Sequence, residues 1–302
     1  MVNTQNILII GRTGSGKSAL ANILVNKEEN FEERGNFEEV FKESNNSISE
    51  TLEIKSKEIE IEGTKYRIID TIGIGNTKLN DEEIACKIFK SCHNFKDGLT
   101  QILFIIDGRF TKEEIKFYNI MRKKILDDNI AGFTTIVRTK FFNFRNAERC
   151  KNDHELLRKE NRKISKLINS CNEVIYVDNP SLNPDDYDKE EIILHKKRRK
   201  DCRDILVKHL EDCKQKVSYK PKNLELMNNI FEKYSSGDEE SKNKFMQFLK
   251  EKIETLKNKG FFKKKKENLE KKLSNKKTTE TEEVKDLPLE AFIEVNNVCK
   301  QM

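Results

Sequence analysis

The sequence predicts an α/β fold in which a mostly parallel sheet is packed between helices as a three-layer sandwich. Two observations favour this class. Short apolar runs alternate with amphipathic stretches long enough to be helices, and most of these runs are continuous rather than alternating. Continuous apolar strands are typical of parallel sheets covered by helices on both faces. Strands that alternate with helices along the chain are typical of the α/β class.

The apolar runs place the elements in order. The expected strands lie at residues 6–10, 66–69, 102–106, 133–137 and 174–177. The expected helices lie at residues 17–26, 82–95, 112–128, 153–170 and 189–216. A further strand is expected over Glu53–Ile61, where charged and apolar residues alternate. Because alternation indicates a strand with one solvated face, this segment should pair antiparallel with the next strand, as an edge strand.

The composition concentrates the core in part of the chain. The 302 residues are 36% charged and 35% hydrophobic, with a formal net charge of +6. A balance this mild does not by itself argue for a nucleic acid partner. No apolar run approaches the roughly 18 to 20 residues that span a bilayer, and no secretory signal is expected. The seven cysteines have no zinc-like spacing, which favours free thiols in a reducing, cytoplasmic compartment.

The character of the sequence changes near residue 215, where we place a domain boundary. Residues 1–215 carry the α/β pattern, and residues 216–302 are predicted to be a charged helical extension, with apolar residues at the helical or coiled-coil spacing over 244–259. Residues 242–277 hold 14 Lys and 4 Glu, a net charge of +10. The polar segment 274–286 is predicted to be disordered.

A phosphate-loop pattern, Gly-x-x-x-x-Gly-Lys-Ser, occupies residues 11–18 between a predicted strand and a predicted helix. This context is the one that supports such a motif. Glycines let successive N–H groups point at one anion, and the start of the helix adds its own N–H groups. The predicted phosphate-binding residues are Gly11, Arg12, Thr13, Gly14, Ser15, Gly16, Lys17, Ser18 and Ala19. Lys17 is expected to reach the β and γ phosphates as a catalytic residue, and Ser18 to bind Mg²⁺.

A second pattern, Asp-x-x-Gly, runs from Asp70 to Gly73 after the strand at 66–69. Asp70 is predicted to hold Mg²⁺, and the Gly73 N–H to contact the γ-phosphate as a catalytic group. Alternatively, Asp70 merely caps the end of a strand.

The segment of residues 28–50 is long, polar and charged, as a mobile loop would be. Ser47 and Ser49 within this segment, and Thr51 directly after it, each carry a hydroxyl that could complete the Mg²⁺ coordination, and Ser49 is our choice. A plain solvated hydroxyl is the alternative for each of them.

The segment Asp107–Glu114 reads Asp-Gly-Arg-Phe-Thr-Lys-Glu-Glu after the strand at 102–106. It resembles the Gly-Arg-Phe/Tyr-Thr box of the avirulence-induced-gene type of G domain, the family of the GTPases of immunity-associated proteins, which is related to septin and Toc GTPases. The resemblance covers about residues 4 to 210. It implies a Ras-like fold, GTP and GDP as ligands, Mg²⁺, and a homodimer formed through the switch face. The box also reads as a strand-to-helix turn with Thr111 capping the helix.

The base-binding motifs depart from the pattern of that family. Lys140 matches the lysine that covers the base, but Phe141 and Phe142 stand where the family usually places an Asp that pairs with guanine. Backbone groups near Asn179 and Pro180 could read O6 of the base instead, and Asn179 loosely matches the Asn of the family's last nucleotide motif.

The switch motif departs as well. Ile72 replaces a usual Pro, and no Gln follows Gly73, which predicts slow hydrolysis. Arg12 or Arg109 could stabilise charge across a dimer, or could be a structural ion-pair residue.

We therefore predict a guanine-nucleotide switch with weak GTPase activity, whose partner binding or self-association follows the triphosphate state. The alternative is a degenerate G domain that acts as a nucleotide-insensitive scaffold, which Phe141 and Phe142 favour. A P-loop kinase is disfavoured because the 70–73 pattern and the 107–114 box have no place in it. The basic extension could bind an anionic membrane surface, and Cys299 fits the outline of a farnesylation box.

Overall fold

The computed structural model describes residues 4–43, 54–75, 84, 87–88, 98–122, 128–214, 218–219 and 247. The chain divides into two compact units, residues 1–250 and 251–302, and all the described residues belong to the first. The predicted boundary at 215, the helical extension and the segment 274–286 lie almost wholly outside the described residues. They stay predictions.

In the part of the chain that the structure describes, six strands form one sheet in the order β2-β3-β1-β4-β5-β6. The strands are β1 (Gln5–Gly11), β2 (Lys55–Ile61), β3 (Thr64–Asp70), β4 (Gln101–Asp107), β5 (Thr134–Thr139) and β6 (Glu173–Tyr176). Neighbouring strands pair in parallel, except that β2 pairs antiparallel with β3 at the edge of the sheet. The mostly parallel sheet with one antiparallel edge strand is confirmed.

Helices cover both faces of this sheet. The described α-helices are α1 (Lys17–Val25), α2 (Lys112–Ile120), α3 (Ala147–Glu160), α4 (Arg162–Ser170) and α5 (Lys189–Lys214). Successive residues of a strand point to opposite faces, so Leu8 and Ile10 join the cluster under α2, α3 and α4, whereas Ile7 and Ile9 join the cluster under α1 and α5. The three-layer prediction is confirmed.

The single helix predicted over residues 153–170 is wrong. The chain forms two helices there, beginning earlier, at Ala147, and divided at Asn161. The Asn161 side-chain oxygen accepts hydrogen bonds from the N–H groups of Lys163 and Ile164, at 3.0 and 3.1 Å. Because an asparagine in this role satisfies the first N–H groups of a helix, it starts α4 afresh.

The helix predicted over residues 112–128 is confirmed in its first part, and residues 123–127 lie outside the described residues. The α-helix α2 spans Lys112–Ile120, residues 121–122 continue it as π-helix, and a 3-10 helix begins at Asp128. The helix predicted over residues 82–95 lies outside the described residues except at positions 84, 87 and 88, which are helical.

Residues 28–43, which we call the strap, are packed against the domain rather than forming the open polar loop that their composition predicted. Phe41 is only 1% exposed. The Asn22 side chain accepts from the Phe41 N–H at 2.8 Å and donates to its carbonyl at 2.7 Å. Asn26 makes the same pair of bonds with Glu38, at 2.8 Å each. Asn22 of α1 and its cap residue Asn26 thus hold the strap. Phe31 and Phe41 of the strap are buried and Phe37 is half-buried, which the polar character of the sequence did not indicate.

Candidate functional site

The loop of residues 11–18 leaves β1 and opens α1. Gly14 and Gly16 have φ values of 76° and 91°, which glycine adopts without strain. The Leu20 N–H donates to the Gly16 carbonyl at 3.0 Å. The N–H groups of residues 17–19 precede it and have no acceptor within the helix. These N–H groups make no hydrogen bond within the helix, and they are therefore placed to bind an anion.

Lys17, Ser18 and Asp70 meet at the carboxyl ends of β1 and β3. The Ser18 hydroxyl donates to Asp70 Oδ2 at 2.7 Å, and Lys17 Nζ donates to the Arg12 carbonyl at 3.0 Å. Asp70 is 2% exposed, and within the described part of the chain its other oxygen, Oδ1, has no hydrogen-bond partner. Buried polar atoms are normally paired, and carboxylate and hydroxyl oxygens are ligands that Mg²⁺ accepts. These residues fit the predicted metal.

The charges in this group are poorly compensated. Burial lowers the pKa of Lys17 to about 8, although the charge of Asp70 acts against it. Burial raises the pKa of Asp70, against the effects of Lys17 and Ser18. Both shifts follow from holding ionisable groups away from water. A polyanion bound with a divalent cation would compensate both charges.

Residues 71–75 continue from β3 along the phosphate loop. The Thr13 N–H donates to the Ile74 carbonyl and the Ile74 N–H donates to the Gly11 carbonyl, each at 3.0 Å. A Cβ at Gly73 would lie 2.7 Å from the backbone nitrogen of Thr13, so this contact alone demands glycine. The N–H groups of Thr13 and Ser15 both bond to backbone in this structure. Their phosphate contacts, and that of Gly73, stay predictions.

The end of β5 is fastened to the same loop. Thr139 Oγ1 donates to the Ser15 carbonyl at 2.7 Å. Lys140, with φ of 52°, donates from Nζ to the Gly14 carbonyl at 3.1 Å and to Asp107 Oδ2 at 2.7 Å. The residue predicted to cover the base therefore lies beside the phosphate loop.

Asn179 follows β6 at the same end of the sheet. The Phe141 N–H donates to the Val177 carbonyl at 3.2 Å, which joins the segment after β5 to the segment after β6. Both polar atoms of the Asn179 side chain are buried, and neither finds a hydrogen-bond partner among the described residues. A buried amide without a hydrogen-bond partner lowers the stability of the fold. A ligand edge that carries one donor and one acceptor would satisfy it, as a purine base does.

The two phenylalanines after Lys140 differ in environment. Phe141 packs against Tyr176, with ring centroids 4.9 Å apart. Phe142 is 70% exposed, and the Arg198 guanidinium carbon lies 4.1 Å from its ring centroid. Only the Phe141 ring packs against the core.

Sequence reasoning missed two residues of α5. Arg199 is 1% exposed. Its Nη1 and Nη2 atoms lie 2.8 and 2.6 Å from the carboxylate oxygens of Glu43, at the end of the strap, and its Nε donates to the Pro180 carbonyl at 2.7 Å. Arg198 Nε lies 3.0 Å from Asp178 Oδ2. Both arginines belong to a run of five cationic residues, a pattern that normally marks a solvated helix face.

The 107–114 box has a structural explanation. Thr111 Oγ1 accepts from the Glu114 N–H at 3.1 Å, and Glu114 Oε2 accepts from the Thr111 N–H at 2.8 Å. This is a capping box, so the helix-cap interpretation of Thr111 is confirmed. The buried Glu114 also places Oε1 3.7 Å from Nε of Arg12 in the phosphate loop. The box therefore starts α2 and pairs with Arg12, which supports the structural ion-pair role of that arginine.

Some predicted site residues lie outside the described part of the chain. Ser47, Ser49 and Thr51 are among them, so the choice of a further Mg²⁺ ligand stays a prediction. Within the described residues, no group of three or more His, Cys, Asp or Glu side chains could hold a metal ion. The described cysteines, Cys150, Cys171, Cys202 and Cys213, are free thiols.

Comparisons with known proteins agree with the motifs. Residues 5–193 match the family model of the AIG1 family. The chain is 30% identical over 137 residues to immune-associated nucleotide-binding protein 8 of Arabidopsis thaliana, covering 43% of this chain and 36% of that protein. It is 24% identical over 238 residues to the tRNA modification GTPase MnmE of Mycoplasma genitalium, covering 76% of this chain and 50% of that protein. The chain thus matches only about a third of the length of the immune-associated relative.

Among solved structures there is a distant likeness to Toc33 from Arabidopsis thaliana in complex with GDP and Mg²⁺. The sequence identity is 18% and the TM-score is 0.43, over 67% of this chain and 86% of that chain.

Proposed function

This chain belongs to the AIG1 family, and from that premise we propose that it binds GTP and GDP at the phosphate loop and acts as a slowly hydrolysing switch. The observation that carries the proposal is that the buried Lys17 and Asp70 and the half-buried Ser18 come together at the start of α1. The charges of this group and its orphaned carboxylate oxygen suit a nucleotide triphosphate with Mg²⁺.

The roles follow from position. The N–H groups of residues 17–19 and the ammonium of Lys17 would hold the phosphates, and Ser18 and Asp70 would hold the metal. Mg²⁺, when bound, neutralises charge on the β and γ phosphates. Gly73 would sense the γ-phosphate, because its segment hydrogen-bonds to the loop through Ile74.

Slow turnover is part of the proposal. The residue after Gly73 is Ile74, whose side chain is buried and apolar. Such a side chain cannot orient an attacking water by hydrogen bonding. GTP would then pass to GDP and phosphate slowly, unless a partner supplies the missing group.

The test is a titration of the full chain with GTP, GDP and ATP in the presence of Mg²⁺. We expect Lys17→Ala to weaken GTP binding by about 10- to 100-fold, because a charged hydrogen-bonding group is lost. Lys65→Ala, at an exposed position of β3, should leave binding unchanged. A folded protein, verified by circular dichroism, that binds no nucleotide, or binds it independently of Lys17, would reject the switch and leave the scaffold.

The scaffold is the second candidate, and the aromatic residues at 141 and 142 favour it. If the chain is a nucleotide switch, we also propose that it self-associates through the switch face, where Arg109 is exposed. Contact of the basic extension with an anionic membrane, a modified Cys299 and a cytoplasmic location stay proposals as well. Among the described helices, none is long and apolar enough to cross a membrane.

A further inference from the structure

We propose that Phe142, held in place by Arg198, stacks on the purine base of the nucleotide, and that the site does not read the 2-amino group of guanine. GTP and inosine triphosphate (ITP) should then bind alike. The inference rests on the proposed function, since it names the base specificity of the same site.

The Phe142 ring is exposed but held. The Arg198 guanidinium lies over the ring, at 4.1 Å from the centroid, and Arg198 Nη2 donates to the Phe142 carbonyl at 3.1 Å. A guanidinium over an aromatic face is an attractive arrangement. It fixes the ring from one side, while 70% of the residue stays accessible. A flat, exposed and oriented ring is what base stacking requires.

Arg198 also joins this ring to the segment that carries Asn179. Arg198 Nε lies 3.0 Å from Asp178 Oδ2, and both side chains are largely buried. Asp178 directly precedes Asn179, and the Phe141 N–H bonds to the Val177 carbonyl at 3.2 Å. One arginine therefore joins the Phe142 ring to the segment in which Asn179 follows Asp178.

The chemistry of the amide limits what it can read. The Asn179 side chain offers one acceptor oxygen and an NH₂ donor, and neither has a partner within the described chain. They match N1–H and O6 of guanine, which leaves the 2-amino group without an acceptor. The neighbouring carboxylate, Asp178, is engaged by Arg198, and Phe142 presents an apolar ring. Inosine lacks only that amino group, so a site of this kind cannot distinguish the two bases.

The experiment compares dissociation constants for GTP, ITP and inorganic tripolyphosphate on the full chain. For the wild type we expect GTP and ITP to agree within about twofold. Phe142→Ala should weaken both by about tenfold or more, because stacking on an aromatic ring is worth about 1–3 kcal/mol per base. Phe142→Trp should retain both affinities. Tripolyphosphate binding should be unchanged in each variant, because it reports the phosphate loop alone.

Arg198 is tested as a positioning residue. Arg198→Ala should weaken GTP and ITP equally, by about three- to tenfold, without affecting tripolyphosphate, a split that general loss of structure would not produce. Arg145→Ala is the matched control, since Arg145 lies over the Phe144 ring at 4.9 Å and pairs with Asp201. Leu156→Ala controls for loss of an exposed apolar side chain.

Three results would overturn the inference. One is a wild-type preference for GTP over ITP of tenfold or more. Another is a Phe142→Ala variant with GTP affinity within twofold of wild type. The third is a preference for GTP that disappears in Asn143→Ala, because the next polar residue would then be reading the amino group. Absence of any Lys17-dependent nucleotide binding would instead reject the proposed function itself.

Discussion

Gly73 shows how closely the switch segment and the phosphate loop approach each other. A methyl group at this position would lie 2.7 Å from both the nitrogen and the Cα of Thr13. Backbone cannot yield as a flexible side chain does, so the segment would have to move.

We expect Gly73→Ala to cost about 1–3 kcal/mol of unfolding free energy and to weaken GTP binding. The reason is that the hydrogen bonds between Ile74 and the loop would be lost. Thermal unfolding and a GTP titration measure the two effects. Gly132→Ala is the control, since a Cβ there meets no atom within 4 Å. Equal melting temperatures for the two variants would contradict this account.

Sequence patterns were sufficient for some residues of the site. Lys17, Ser18 and Asp70 were placed by fixed spacing after apolar strands, and the structure brings them together. Arg199 could not be found that way. Its partner Glu43 lies 156 positions earlier in the chain, and both look like surface charges until the fold buries them.

At the scale of elements, the strap depends on α5. Arg199 is buried and bonds to Glu43 through both terminal nitrogens. A buried bidentate ion pair stabilises a protein little more than apolar side chains of the same volume would. Removing one partner is nevertheless strongly destabilising, because the other charge stays buried without compensation.

We therefore expect Glu43→Gln to lower the unfolding free energy by about 3 kcal/mol, measured by urea denaturation. Glu33→Gln, on an exposed part of the strap, should change it little. If both variants unfold at the same urea concentration, the ion pair does not hold the strap.

The elements themselves were predictable to different degrees. All six described strands were predicted. Five were found because a buried parallel strand is a continuous apolar run, and β2 was found because charged and apolar residues alternate along it. The break between α3 and α4 was not, since it depends on the capping role of one asparagine inside a charged helical stretch. The packing of the strap was missed because its three aromatic residues stand in a segment dominated by charged and polar residues, and the asparagines that hold it lie 12 to 19 positions away in the chain.

At the scale of the whole first unit, α5 connects the nucleotide end of the sheet to the opposite end. Its 26 residues extend about 39 Å at 1.5 Å per residue. Arg198 and Arg199 lie in its first half. In its second half His209 contacts Thr135 Oγ1 at 2.8 Å and Glu173 Oε2 at 2.9 Å, at the amino ends of β5 and β6.

His209 makes stability depend on pH. Burial lowers the pKa of His209, but hydrogen bonds with Cys213 and Glu173 outweigh burial and raise the pKa to about 9. The folded chain then holds the proton more tightly than the unfolded chain, whose histidines titrate near pH 6.5. The stabilisation is complete below about pH 6.5 and is lost as the pH rises towards 9.

We expect the unfolding free energy of the wild type to fall between pH 6.5 and 9, by at most about 3 kcal/mol, relative to that of His209→Gln. Urea denaturation across the range measures both slopes. His154→Gln, on α3, should keep the wild-type slope. Parallel curves for wild type and His209→Gln would show that His209 does not carry the effect.

The two edge strands of the sheet, β2 and β6, have a consequence for how copies of this domain can associate. β2 ends the sheet with exposed charged residues at positions 55, 57, 58 and 60, and β6, at the other margin, has only four residues. Edge strands that are charged or very short resist pairing with a strand of another chain. Copies of this domain are therefore protected from polymerising into extended β-ribbons, and a pair of copies would meet through side chains and loops. Such a contact can be made and released without disturbing the backbone ladder.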